Sequence, residues 1–292
     1  MLNTLIRILA KILIRCHLLD KMIMVRMDGG ICSQMHFLLV GQQLKEKGYQ
    51  VKYDIGWFKE QGKDLTGRFV RNFDLPRAFP ELKLCLASSF ETFFYKRLAF
   101  SSNKYLDATS PSFLAGYYGN SRKMYMEDFT KLFRIDVTVW DEANLKIYND
   151  IVSHKNTVAI HVRRGDLSVY NGAYGNPVDL GYFYKTIQKI QKEKGDLSCY
   201  LFSDEPLWIK GNMLEKMPYG NTYTIVDING SDKGYMDMFL IGACKYQITS
   251  KGSLGKFGGF LNLDMDGRIY VFDDDVERKN WEGVHDKIEF IS

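Results

Sequence analysis

From Thr157 to Phe272, short apolar runs rich in β-branched and aromatic residues alternate with stretches of helical period. The spacing predicts strands at Thr157–Val162, Cys199–Phe202, Tyr223–Val226, Tyr246–Thr249 and Ile269–Phe272. Between them it predicts helices over about Leu180–Lys192, into Met213, from Tyr235 to Ala243 and up to Leu263. Such alternation builds a parallel sheet with crossover helices. The first of these strands ends in His161 and runs straight into Arg163-Arg164-Gly165-Asp166. A buried strand that ends in so much charge delivers it to the carboxyl edge of the sheet, where ligands of open α/β folds bind.

Adjacent guanidiniums suit a phosphate or pyrophosphate, because arginine forks onto phosphate oxygens and keeps its charge at any working pH. The plainer alternative makes Arg163 and Arg164 surface ion-pair partners and Asp166 a turn cap. Two further strand ends favour the phosphate: Ser203-Asp204 after the second strand, and the Gly/Ser loop within Thr249–Gly255 after the fourth. A parallel sheet puts these ends on one edge, and glycine-rich turns before a helix cradle phosphate oxygens with backbone N–H groups. Together they read as a nucleotide-diphosphate pocket. Asp237, on the helix before the Gly/Ser loop, is placed to reach a base or ribose, or is simply a first-turn acid favoured by the helix dipole.

The front half opens as a second βαβ unit. A strand over Met22–Met27 leads to Asp28-Gly29-Gly30, then a helix from Ser33, its candidate N-cap, to Lys47. Gly48 ends that helix and Val51–Asp54 starts another strand. The glycines do not form a G-x-G-x-x-G fingerprint. They suggest backbone lying close to a substrate, or a tight turn needing positive φ. Residues 55–124 read as helices and loops decorating this part. A linker near 153–156 divides the chain into an N-terminal domain, 22–153, and a C-terminal domain, 154–292. Ahead of both, residues 1–21 form a basic amphipathic segment with Arg7, Lys11 and Arg15 on one helical face. Its charges interrupt every apolar run, so it neither spans a membrane nor resembles a signal peptide. It lies on an anionic inner-membrane surface, or it packs on the protein with its basic face solvated.

Composition excludes several classes. A length of 292 residues suits two ordinary domains. A net charge of +4, with aromatics scattered rather than interleaved with basic runs, argues against nucleic acid as a partner. Five separated cysteines without CxxC spacing give neither a zinc pattern nor a disulfide framework, and point to a reducing compartment. That makes the sequon at Asn229-Gly230-Ser231 accidental. Asp264-Met265-Asp266 has DxD spacing but lies where Asp and Gly are ordinary turn formers, and Asp273–Asp275 reads as a solvated turn. No metal is expected, since arginine can neutralise a leaving diphosphate.

The chain resembles the α-1,2-fucosyltransferases of glycosyltransferase family 11. His161–Asp166 matches that family's HxRRGD motif, and Leu201–Lys210 (LFSDEPLWIK) resembles its second motif. Asp237–Leu240 with Ser250–Leu261 resembles the third, and Val25–Met35 resembles the GGLGNQM opening. The resemblance implies a GT-B architecture, α/β with two Rossmann-like domains whose parallel sheets face a central cleft. It implies inverting transfer of L-fucose from GDP-fucose to the 2-hydroxyl of a galactose-containing glycan, without an essential metal or other cofactor. Arg163 would grip the diphosphate with Arg164 nearby, and His161 would lie against the nucleotide. Asp237 would contact guanine and Ser253 a phosphate, with Ser203 and Asp204 also on the donor side. Asp28 and Asp166 are the candidate bases, and Gly29, Gly30 and Gln34 border the acceptor.

This chain departs from the family at Ile31-Cys32-Ser33, and in the third motif, Lys251–Leu261, where only the central Ser253, the final glycine and Leu261 survive unchanged and Phe257 and Phe260 keep aromatic character. Two alternatives follow: a GT-B transferase using another nucleotide sugar, and an inactive nucleotide- or glycan-binding protein. The expected setting is cytoplasmic, peripheral at the inner membrane face, with a lipid-linked acceptor of bacterial surface-polysaccharide synthesis.

Overall fold

The structure is a computed structural model, and it describes residues 2–64, 66–67, 69–98, 107–116, 126–169, 175–262 and 266–292. The chain forms two compact units, Met1–Asp64 with Val70–Phe129, and Leu65–Phe69 with Thr130–Ser292.

The first unit contains α1 (Leu2–Arg15), β1 (Ile23–Arg26), α2 (Ile31–Glu46), β2 (Val51–Asp54), the short α3 (Trp57–Glu60) and α4 (Leu75–Ala78), α5 (Ser89–Tyr95) and β3 (Ser112–Leu114). Its sheet runs β2-β1-β3, with both pairings parallel. β1 is central, and Ile23, Met24 and Val25 are fully buried, as a strand covered on both faces requires. Helix α2 begins two residues before the expected start. Gly30, extended at φ −79°, is the N-cap, and Ser33 lies inside the first turn. Gly48, at φ +86°, follows its C-cap Lys47. The reciprocal bonds of a Ser88–Glu91 capping box start α5. Helix α1 belongs to this unit. Ile6, Ala10, Leu13 and Ile14 pack into a cluster with Met22, Met24, Phe94, Tyr95 and Phe113.

The second unit contains α7 (Glu142–Ser153), β4 (Thr157–Val162), α8 (Leu180–Lys194), β5 (Ser198–Ser203), α9 (Pro206–Asn212), β6 (Thr222–Ile225), α10 (Gly234–Ala243), β7 (Tyr246–Thr249), α11 (Leu254–Leu261), β8 (Arg268–Phe272), α12 (Asp275–Trp281) and β9 (Ile288–Ile291). The division falls within α6 (Met126–Leu132), earlier than the expected linker at 153–156. The reason is packing: Trp140, just ahead of α7, stacks on Phe239 of α10, and α7 lies against α10.

The sheet of this unit is ordered β6-β5-β4-β7-β8-β9, every pair parallel. Counted within the unit, that is the 3-2-1-4-5-6 order of a dinucleotide-fold sheet. Growth of the sheet reverses between β4 and β7, so the loops leaving those two strands flank the topological switch point. Val158, Ile160 and Val162 of β4 enter a core with Phe183, Ile187 and Ile190 of α8 and Ile209 of α9. Strand alternation turns Ala159 and His161 to the other face. There Gly255 of α11 lies so close that a Cβ would come within 3.1 Å of the His161 Cβ. Each unit thus has the parallel α/β construction expected of a GT-B half. The alternation extends beyond the last predicted strand, β8, because α12 and β9 continue the pattern. The aspartates expected in a solvated turn start α12, where Asp274 caps by accepting from the Glu277 N–H at 2.8 Å.

Candidate functional site at the switch point of the second unit

In β4, His161 pairs with Phe202 of β5 and Thr249 of β7, and Val162 with Ser203. The three polar strand ends therefore share one edge. Beyond them the backbones are laced together. The Ser250 N–H donates to the His161 carbonyl at 3.0 Å, and the Arg163 N–H donates to Ser250 Oγ at 2.8 Å. On the other side, Ser203 Oγ donates to the Val162 carbonyl at 2.7 Å and accepts from the Glu205 N–H at 3.0 Å. Both oxygens of Asp204 accept backbone N–H groups, from Arg164 and Gly165, each at 2.9 Å. Ser203 and Asp204 thus hold the RRGD loop itself. Burial pushes the Asp204 carboxyl above its ordinary range, against the lowering effect of those two backbone bonds.

The two arginines diverge, because β5 and β7 lie on opposite sides of β4. Arg163 turns to the β7 side. Its Nε and Nη2 fork onto Asp166, at 2.9 and 2.5 Å, and its guanidinium lies against the backbone of Gly252. Gly252 has φ +90°, and a Cβ there would collide with Arg163 Nη1. Arg164 turns to the β5 side, stacking 3.5 Å over the Trp208 ring with Glu205 at 3.6 Å. Beside that stack lies a separate cleft of about 510 Å³, lined by Arg164, Leu167, Val178 and Trp208 among others. Of the two guanidiniums, that of Arg163 is therefore the one on the side of the Gly/Ser loop, and that of Arg164 lies on the Trp208 side.

That loop, 250–253, leads into α11. Ser253 occupies the N-cap position, but its hydroxyl caps no backbone N–H of the helix. Glycine, serine and a helix N-terminus beside a guanidinium make a site for an anion. The loop is anchored from below by α12 and the residue before it. Lys251 pairs with Asp274 at 2.6 Å, and Lys256 with Glu277 at 2.5 Å. Lys256 also donates to the Ser250 carbonyl, and both Lys256 and Glu277 are fully buried. These two lysines stand among the departures from the third motif, and their partners escape a sequence reading because the start of α12 looks like a turn. His161 is buried too. Its Nδ1 has no hydrogen-bond partner among the described residues, and burial, then Lys256 and Arg163, lower its pKa to about 3. It is a neutral imidazole at the floor of the site.

Asp237 lies apart, in the first turn of α10. Its Oδ1 accepts from Asn229 Nδ2 at 2.9 Å, and Asn229 exchanges side-chain bonds with Asn144 of α7. Burial, opposed by the Asn229 bond, pushes Asp237 up to about 7. The Asn229 amide of the sequon is thereby committed inside the unit. Asp28, Gly29, Gly30 and Gln34 belong to the first unit. Gly29, at φ +71°, makes the turn between β1 and α2. Gln34 is fully buried with both ends of its amide engaged: Nε2 donates to the Gly29 and Asn72 carbonyls, and Oε1 accepts from the Asp74 and Leu75 N–H groups. It fixes the turn and presents no polar atom to a ligand. Burial raises the Asp28 carboxyl, with Arg26 opposing.

Among the described residues, no group of three His, Cys, Asp or Glu side chains is placed to hold a metal ion. Asp264 of the DxD spacing lies outside the described residues, and Asp266 is exposed, 4.0 Å from Lys245. No disulfide joins any of the five cysteines.

The family model for glycosyl transferase family 11 matches residues 90–287, well over half of the chain. The chain belongs to glycosyl transferase family 11. As a family 11 enzyme it is a glycosyltransferase, acting with a nucleotide-sugar donor and a glycan acceptor. Its relatives include the O-antigen biosynthesis glycosyltransferase WbnK of Escherichia coli, 27% identical over 45% of this chain and only 43% of that protein. An alpha-1,2-colitosyltransferase of Escherichia coli is 25% identical over 83% of this chain and 89% of that protein. Two solved structures are similar at a TM-score of 0.47. E. coli ADP-heptose lps heptosyltransferase II has 10% identity, covering 92% of this chain and 90% of that one. A point mutant of Arabidopsis thaliana FUT1 in complex with GDP has 12% identity, covering 93% of this chain and 79% of that one.

Proposed function

We propose that this glycosyltransferase transfers L-fucose from GDP-fucose to the 2-hydroxyl of a galactoside, inverting the anomeric centre, in the assembly of a bacterial surface polysaccharide. The observation that carries the reading is the Arg163–Gly252 contact at the switch point, with Ser253 opening α11 beside it. A guanidinium, a glycine backbone and a helix N-terminus together neutralise a diphosphate as it leaves, without requiring a metal. Neutral His161 and the Asn229–Asp237 pair would meet the nucleotide, Asp237 facing guanine.

The reaction is read as a single displacement. The acceptor 2-hydroxyl attacks C1 of fucose, the bond from C1 to the diphosphate oxygen breaks, and a carboxylate takes the hydroxyl proton. Asp28 is favoured over Asp166 as that base. Both Asp166 oxygens are held by Arg163, whereas burial raises the affinity of the Asp28 carboxylate for a proton, which strengthens it as a base.

Transfer of colitose is a second reading, favoured by the match over most of both chains to an enzyme named an alpha-1,2-colitosyltransferase. The setting that fits both is the inner membrane face, with the acceptor on a lipid carrier. The deciding experiment incubates the purified protein with a panel of nucleotide sugars and galactosides in excess EDTA, and determines the product linkage. An α-1,2-fucosylated galactoside, with free GDP as inhibitor, is expected. Turnover of another donor only would replace the donor assignment, loss of transfer restored by manganese would overturn the metal-free mechanism, and no transfer or donor hydrolysis would leave a binding protein.

A further inference from the structure

Helix α1 has more apolar surface than its own unit covers. At a helical step of 100°, Ile6, Ala10, Leu13 and Ile14 fall on one arc, the one buried against Met22, Phe94 and Phe113. Leu2, Leu5, Ile8, Leu9 and Ile12 fall on the neighbouring arc and are 45% to 71% exposed. The remaining arc carries Arg7, Lys11 and Arg15, and the helix contains no acidic residue. Helix α5, which packs on α1, adds exposed Phe90 and Phe93. Where the two meet, Asn3, Thr4, Arg7, Lys96 and Arg97 line a pocket of about 540 Å³. Lys96 is paired there with Glu60 at 2.8 Å, and Arg97 donates to the Phe93 carbonyl at 2.5 Å.

We infer that α1 and the adjoining end of α5 form a bilayer-docking surface for anionic phospholipid. The outer arc of α1 enters the acyl boundary, the basic arc lies among headgroups, and the Arg7/Lys96/Arg97 pocket receives a headgroup phosphate. Charge complementarity selects this occupant. An exposed ridge of five aliphatic side chains, bordered on α1 by a basic arc on one edge and by the buried arc on the other, is what an interfacial helix presents to an anionic leaflet. Among the described residues no helix is long and apolar enough to cross a membrane, so the contact is peripheral. The inference deepens the membrane setting of the proposed function, because a lipid-linked acceptor would be met at this surface. The docking itself needs neither donor nor acceptor.

The test is co-sedimentation of the full chain with vesicles of phosphatidylglycerol mixed with phosphatidylcholine, and with vesicles of phosphatidylcholine alone. Binding to the anionic vesicles only, weakening with salt, is expected. Leu5→Ser/Leu9→Ser/Ile12→Ser should lower partitioning by at least about tenfold, and Arg7→Gln/Arg97→Gln by about fivefold per charge. Both variants should keep the parent melting temperature and the parent activity, if any, on a soluble acceptor. Equal binding to both vesicle types, no binding to either, or binding indifferent to the outer-arc substitutions would overturn the inference. So would concentration-dependent dimers abolished by the serine variant, which would assign the ridge to a second copy of the chain. Since vesicle binding is read without sugar transfer, failure here leaves the transferase reading untouched, and a failed donor screen leaves this one untouched.

Discussion

The Arg163 guanidinium rests on the backbone of Gly252, and no side chain can be placed between them. This contact joins the loop after β4 to the loop after β7, across the point where the sheet changes its direction of growth. Gly252 is needed twice, for its φ of +90° and for the space its missing Cβ leaves. Gly252→Ala should cost about 1–3 kcal/mol in stability from backbone strain. It should also push Arg163 off its fork with Asp166, raising the donor KM and lowering kcat. Arg163→Lys keeps the charge but loses the fork, and should lose at least about tenfold in kcat/KM. Urea unfolding and steady-state kinetics check both. Gly252→Ala with parent kinetics would show that Arg163 is not positioned by this contact.

The Lys256–Glu277 pair supports the same loop from beneath, since Lys256 also donates to the Ser250 carbonyl. Removing one partner leaves a charge buried without compensation. Lys256→Met should therefore destabilise the protein by roughly 3–5 kcal/mol. The double variant Lys256→Met/Glu277→Leu should recover most of that loss, because a packed apolar pair avoids the desolvation of both ions. A double-mutant cycle by chemical denaturation measures the coupling. If the double variant regains stability but not donor affinity, the pair positions the Ser250–Ser253 loop; recovery of both would make it a packing feature only.

Much of this site was legible because its parts are local in sequence. The alternation from Thr157 to Phe272 implied the parallel sheet, and the charge directly behind β4 marked its carboxyl edge. Three things were not legible. The divergence of Arg163 and Arg164 depends on which strands flank β4, and strand order is a tertiary property. The partners of Lys251 and Lys256 lie more than twenty residues away, on a helix whose start looks like an acidic turn because Asp274 is its cap. Gln34 sits in a motif that resembles an acceptor-side opening, but its amide is consumed by a loop 38 to 41 residues further on. The shift of the division to α6 has the same origin: Trp140 is held by Phe239, a contact between residues distant in sequence.

The base assignment predicts a pH profile. A general base works only when deprotonated, so kcat/KM falls as pH drops through its pKa. Burial raises Asp28 above the ordinary 3.8, so the acid limb of the profile should lie above that of an unperturbed aspartate. Asp28→Asn should abolish the limb and lower kcat by about 10²–10⁴. Asp166→Asn should instead act on the Arg163 fork, raising the donor KM more than it lowers kcat. The opposite pattern, with Asp28→Asn active and Asp166→Asn dead at saturating donor, would transfer the role to Asp166.

Stability should respond to pH through two groups of opposite sign. His161, lowered from 6.5 to about 3, is neutral in the fold and protonated in the unfolded chain between those values. There the unfolded state binds more protons, so His161 makes stability fall as pH drops from about 6.5 toward about 3. Asp237, raised from 3.8 to about 7, holds a proton in the fold that the unfolded chain has lost, so it makes stability fall as pH rises through that window. The two contributions offset each other from about 4 to about 6.5, each having a slope of about 1.4 kcal/mol per pH unit. Asp237→Asn removes one of them. Relative to the parent, that variant should gain on the order of 2 kcal/mol between pH 5 and pH 7.5. Its own stability should then fall more steeply on acidification than that of the parent. Urea unfolding of both proteins at the two pH values decides it, and parallel pH profiles would mean that Asp237 is ionised in the fold, held by Asn229 rather than neutralised by burial.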